Sequence, residues 1–178
     1  ERAHDAAAAV TRRRAPAVAR EESITYGAPR PDAPPGPMEL FTASGRFFPV
    51  VVIACDRTET LRNTLSSLLS AGASPADILV AQDGANSAVA AVIAEFGVMH
   101  KAKRPPLVPL NGAQHIARVY KFGLTRAVED VFPDAPAVLV VEDDLVVSKD
   151  FFDYFSAVAP ALERDDSLFV ASAWNDNG

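Results

Sequence analysis

The chain has 178 residues, 49% of them hydrophobic, and a formal net charge of −6, with a sequence pI near 5.0. That is enough apolar material for one domain with its own core, which excludes global disorder. The acidic balance leaves no basic footprint for nucleic acid, and no stretch approaches the length needed to span a bilayer.

No signal-like segment is read at the amino terminus, and because the chain opens Glu1-Arg2 and not with Met, an excised or processed piece is expected. Residues 1–46 carry Ala6-Ala7-Ala8-Ala9, Arg12-Arg13-Arg14 and the proline-rich stretch from Pro29 to Pro37 without an apolar period. They read as a flexible low-complexity stem or linker, with acids nearly balancing the bases around the arginines. The globular part, 47–178, begins with Phe48 to Ala54, a strand buried on both faces that ends at Cys55-Asp56-Arg57. Leu61, Leu65, Leu68 and Leu69 recur at helical spacing until Gly72 and Pro75. Asp77 to Ala81 is the next strand, delivering Gln82-Asp83-Gly84 to the same edge.

Val89, Val92, Ile93 and Phe96 form the following helix, closed by Gly97. A weak strand is expected over Val98–Lys103 and a loop from Arg104 to Gly112. A further amphipathic helix runs from Ala113 to Val131. Then comes Val138-Leu139-Val140-Val141-Glu142-Asp143-Asp144, an aliphatic strand ending abruptly in three carboxylates. Side-chain alternation points Glu142 and Asp144 one way and Asp143 the other. Such a cluster is either a solvated acidic turn or a site for a hard divalent cation. Ser148 is the expected N-cap of a helix carrying Phe151, Phe152, Phe155 and Val158 as core residues. Leu168 to Ala173 is a last strand, followed by Trp174-Asn175-Asp176-Asn177-Gly178.

Strands alternating with helices make a mostly parallel α/β sheet with helices on both faces. Its strand ends line up Asp56 and Arg57, Gln82 and Asp83, Glu142 to Asp144, and Asn175 to Asn177, as a nucleotide crevice requires. No Gly-x-Gly-x-x-Gly, P-loop or Gly-x-Ser-x-Gly motif is present, so dinucleotide binding, P-loop chemistry and serine hydrolysis lose their support. A diphosphate can instead be held by a divalent cation on carboxylates, aided by an arginine. That combination points to a sugar nucleotide.

Val52-Ile53-Ala54-Cys55-Asp56-Arg57, Gln82-Asp83, Val141-Glu142-Asp143-Asp144-Leu145, Asp150-Phe151-Phe152-Asp153-Tyr154-Phe155 and Ser172 to Gly178 occur in that order. Over Phe47–Gly178 this resembles the amino-terminal, donor-binding half of the catalytic region in the N-acetylglucosaminyltransferase I family, glycosyltransferase family 13. The related enzymes acting on O-linked mannose have a similar layout. The resemblance implies a Rossmann-like GT-A fold, truncated before the acceptor-binding half. It implies an inverting, Mn2+-dependent transfer of GlcNAc from UDP-GlcNAc, in β1,2 linkage, to a mannose of an N-glycan. Other readings are transfer to O-mannose, another GT-A transferase, or a non-catalytic sugar-nucleotide-binding domain.

Carried residue by residue, the resemblance makes Asp144 the metal ligand, Asp143 a ribose contact and Glu142 a neighbour of the donor sugar. Arg57 then meets the diphosphate and Asp83 the uracil; ion pairing of Arg57 with Asp56 or Asp83, and a turn-forming role for Asp83, are the structural rivals. The family's Ala-Arg-His-Tyr stands here as Ala117-Arg118-Val119-Tyr120. His115, one turn earlier, reads as a surface residue, with a substitute donor contact as the alternative. Animal members pair the Cys of Cys-Asp-Arg with one after Gln-Asp; here that place is Gly84, leaving Cys55 as a buried free thiol. The catalytic base belongs beyond Gly178, so this piece is expected to bind metal and UDP but to transfer no sugar. The family also implies a type II membrane protein working in the Golgi lumen, its anchor lying outside this chain.

Overall fold

The computed structural model describes the backbone of residues 9–12, and residues 32–104 and 110–174. The elements in order are β1 (Ala9–Arg12), α1 (Pro37–Ala43), β2 (Val50–Ala54), α2 (Thr58–Ser70), β3 (Ile78–Asp83), α3 (Ser87–Phe96), β4 (Met99–Lys103), α4 (Gly112–Arg126), β5 (Ala137–Glu142), α5 (Phe151–Arg164) and β6 (Val170–Ser172). They form one sheet in the order β4-β3-β2-β5-β1-β6. The first four of these strands run parallel. β1 is antiparallel to both β5 and β6.

The continuous aliphatic runs explain the two-sided burial. Val50, Val52, Ala54, Ile78, Val80, Leu139 and Val141 enter a core shared with α2, α3 and α5. Their neighbours Val51, Ile53, Leu79, Ala81, Val138 and Val140 pack on the other face against Val119 and Ala127. A period of two thus divides each strand between two cores, and the expected α/β sheet with helices on both faces is what forms. Leu61, Leu65 and Leu68 of α2 have no exposed surface, each worth about 2 kcal/mol of burial. Gly97, at φ 66°, closes α3 in the left-handed conformation that glycine adopts without strain.

The helix expected from Ala113 to Val131 is α-helical only to Arg126, after which Ala127–Val131 forms a π-type turn. Phe132 N–H donates to the Ala127 carbonyl at 2.7 Å to end it. An Asn111/Gln114 capping box starts α4. Ser148 does not cap α5: its hydroxyl donates to Asp150 Oδ1, and Asp150 itself occupies the N-cap position without a side-chain cap bond. The two residues suited to capping are bonded to each other.

Two elements, β1 and α1, lie inside the stretch read as a linker. Pro37 opens α1, and Glu163 of α5 accepts from Met38 N–H at 2.5 Å and Glu39 N–H at 3.0 Å. A carboxylate across two orphan amides at a helix N-terminus ties α1 to α5, and Met38 is buried beneath it. Residues 1–8 and 13–31 lie outside the described residues, as do Asn175 to Gly178. No helix among the described residues is long and apolar enough to cross a membrane.

Candidate functional site

From β2 the chain moves outward to β3 and β4, then returns to the opposite side of β2 as β5. The carboxyl ends of β2, β3 and β5 therefore surround the point where strand order reverses, the usual crevice of an open α/β sheet. A cavity of about 240 Å³ opens there. Cys55, Arg57, Asp83, Glu142, Asp143 and Asp144 line it from the strand ends, and His115, Ile116, Val119 and Tyr120 from α4. All five residues assigned from sequence to the nucleotide and metal thus come together.

β5 ends at Glu142, so strict alternation stops there and Asp143 and Asp144 lie in the turn. Arg57 reaches both: one guanidinium nitrogen meets Asp143 Oδ1, and the other meets Asp144 Oδ2 at 2.8 Å. The partners of Arg57 are therefore Asp143 and Asp144, not the Asp56 or Asp83 considered from sequence. Asp143 also accepts from Cys55 N–H through Oδ2 at 3.2 Å. Its side chain is 3% exposed, and burial drives its pKa above the usual carboxylate range, opposed by Cys55 N–H and by Arg57. Burial opposes the charge on Arg57, but the two carboxylates outweigh it.

Glu142 turns toward α4 and accepts from the Tyr120 hydroxyl at 2.7 Å. Burial, then the bond to Glu142, pushes the Tyr120 phenol far above its ordinary pKa, so it remains a donor. On the β3 side, His115 Nδ1 lies 3.2 Å from Asp83 Oδ2. His115 is thus a wall of the crevice, not only a surface residue of its helix. Beneath Asp83, the buried Gln82 amide donates to the carbonyls of Cys55 and Asn86 at 3.4 and 3.2 Å. Its oxygen accepts from His100 Nε2 at 2.9 Å, and burial lowers the His100 pKa, favouring the neutral ring. This bonding ties the end of β3 to the end of β2.

Cys55 is exposed at the rim, contrary to its expected burial, because β2 has already ended at Ala54. Local desolvation, then Asp56, Asp83 and Asp143, raises its pKa, which keeps the thiol protonated.

Among the described residues, Asp83 Oδ1 and Asp144 Oδ1 at the crevice are buried without a hydrogen-bond partner. Each belongs to a residue whose other oxygen is held, by His115 and Arg57 respectively. Among the described residues no three metal-ligating side chains converge. Either oxygen has the charge and hardness that a divalent cation accepts from a protein.

The model of the GNT-I family matches residues 36–178. The chain belongs to the GNT-I family. It is similar to an alpha-1,3-mannosyl-glycoprotein 2-beta-N-acetylglucosaminyltransferase of Arabidopsis thaliana, 34% identical over 140 residues. That alignment covers 72% of this chain and 31% of the relative, so the chain spans about a third of that protein's length. Within this family member, sequence reasoning passed over Tyr120 as a site residue and discounted His115. The Asn111-x-x-Gln114 box was the available signal for His115, since it places that residue in the first turn of α4, beside the strand ends.

Proposed function

We propose that this chain forms the donor-binding part of an inverting N-acetylglucosaminyltransferase that uses UDP-GlcNAc and Mn2+ and delivers GlcNAc in β1,2 linkage to a mannose of a glycoprotein glycan. The observation that carries the reading is the pair of unpartnered carboxylate oxygens, on Asp83 and Asp144, at the two ends of one crevice. They differ in what they can accept. Asp83 stands beside His115 at the end of β3 and suits a ring N–H such as that of uracil. Asp144 stands beside Arg57 in the turn after β5 and suits a cation bridging a diphosphate.

Bound there, the metal would offset the charge that develops on the departing diphosphate. Arg57 contributes a second positive charge to the same region, held in place by Asp143 and Asp144. Asp143 has both oxygens engaged inside the protein, so its part in this reading is to anchor Arg57 and the Cys55 amide, and a ribose contact would share those oxygens. Glu142, oriented by Tyr120, borders the space left for the sugar. The mannosyl acceptor rests on the name of the plant relative. The acceptor-activating base is assigned to none of the described residues, and the Golgi lumen is the expected place of work.

Calorimetry with UDP-GlcNAc, with and without MnCl2, tests the reading on the wild-type chain and on Asp144→Ala. Binding should tighten at least about tenfold with the metal, and Asp144→Ala should remove that gain. Equal affinity in all four titrations would contradict the metal-dependent clamp.

A further inference from the structure

We infer that His115 is a positioning residue that makes the crevice select a base by its ring N–H, favouring uracil over cytosine. The inference rests on the reading of the crevice as a nucleotide site and adds to it the residue that sets base specificity.

The backbone of Asp83 is fixed before any ligand arrives. Asp83 pairs with Lys103 at the end of β3, and Gly84, at φ 93°, donates its N–H to the Lys103 carbonyl at 2.9 Å. The side chain still has its own rotations, and a short carboxylate at a strand end can present either oxygen to the crevice. His115 removes that freedom by holding Oδ2 at 3.2 Å, leaving Oδ1 buried and without a partner among the described residues.

His115 can do this because its own backbone is pinned. Its N–H donates to the Asn111 carbonyl at 3.0 Å, within the Asn111/Gln114 capping box. Ile116 and Val119 continue the wall beyond it and offer no competing polar group.

A carboxylate oxygen accepts and never donates while ionised. Uracil presents a ring N–H between two carbonyls and so satisfies it. Cytosine presents a bare ring nitrogen there, placing two acceptors against each other and leaving the buried oxygen without a donor. Sites built around such a hydrogen bond reject the analogue that cannot make it by large factors. If Asp83 could swing its oxygen away, that penalty would shrink; His115 prevents the swing.

The test compares UDP with CDP, both with MnCl2, by calorimetry on the 178-residue chain and its variants. Wild type should favour UDP by at least about a hundredfold. His115→Ala should lower that ratio by about tenfold, mainly by weakening UDP. His115→Asn, whose amide nitrogen occupies the position of Nδ1, should restore the ratio to within about threefold of wild type.

A histidine with only a structural role would weaken UDP and CDP alike and leave the ratio unchanged. That result, alongside loss of UDP preference in Asp83→Ala, would overturn the role of His115 and leave the nucleotide site standing. An unchanged ratio in Asp83→Ala would overturn base selection by Asp83 and His115 while leaving the diphosphate clamp standing, and no binding of either nucleotide by wild type would overturn both. His115 is 40% exposed, and alanine is favoured within helices, so thermal melts should confirm that each variant is folded.

Discussion

At the scale of single residues, the crevice is organised by Arg57. One guanidinium spans two adjacent carboxylates, a geometry that suits its rigid fork and that a lysine would not reproduce. Asp143 depends on it most, since removing one partner leaves an almost fully buried charge with a single N–H donor. Arg57 is half exposed, so water moderates the loss. Arg57→Met should therefore destabilise the chain by about 1–3 kcal/mol in urea denaturation, and adding Asp143→Asn should recover part of that. An unchanged midpoint in the single variant would show that Asp143 is not held by Arg57. Arg57, Asp83 and Glu142 to Asp144 were legible because parallel strands place their carboxyl ends on one edge whatever the packing details. The partners of Arg57 were not, because the strand ends at Glu142 and the turn geometry overrides alternation.

At the scale of elements, α4 decides what faces the strand ends. It packs so closely on the sheet that a Cβ on Gly123 would lie 2.8 Å from Ala81 Cβ and 3.1 Å from Ile53 Cδ1. Nothing in the period of the helix announced that contact, although the glycine itself is visible as an interruption. Gly123→Ala gains about 1 kcal/mol of helix propensity, yet it must push the helix from the sheet or displace Ala81, which has no rotamer to yield. A net loss of about 1–3 kcal/mol is expected in chemical denaturation, with weaker UDP binding as His115 and Tyr120 shift together. Equal or higher stability would mean that α4 does not seat on this glycine. Helix α1 escaped notice for a different reason. Its short apolar content sits among prolines, and its N-terminus is satisfied by Glu163, 125 residues away from Met38, a partner that no local pattern can reveal.

At the scale of the molecule, the parallel strands β3, β2 and β5 bring two carboxylates, Asp83 and Asp144, to opposite sides of a single switch point. The fold class was readable from the four aliphatic runs and their polar ends. Strand β6 falls inside the strand expected over Leu168 to Ala173, whereas β1 was not expected, since it lies in an alanine-rich stretch read as a linker. The chain spans about a third of its plant relative, so donor capture is the function to measure on it. The most direct measurement is anomalous scattering from crystals of the 178-residue chain grown with UDP and MnCl2. A manganese peak is expected on Asp144 Oδ1, beside the diphosphate, with the uracil ring N–H against Asp83 Oδ1. Manganese bound away from Asp144, or UDP bound outside the crevice, would contradict it.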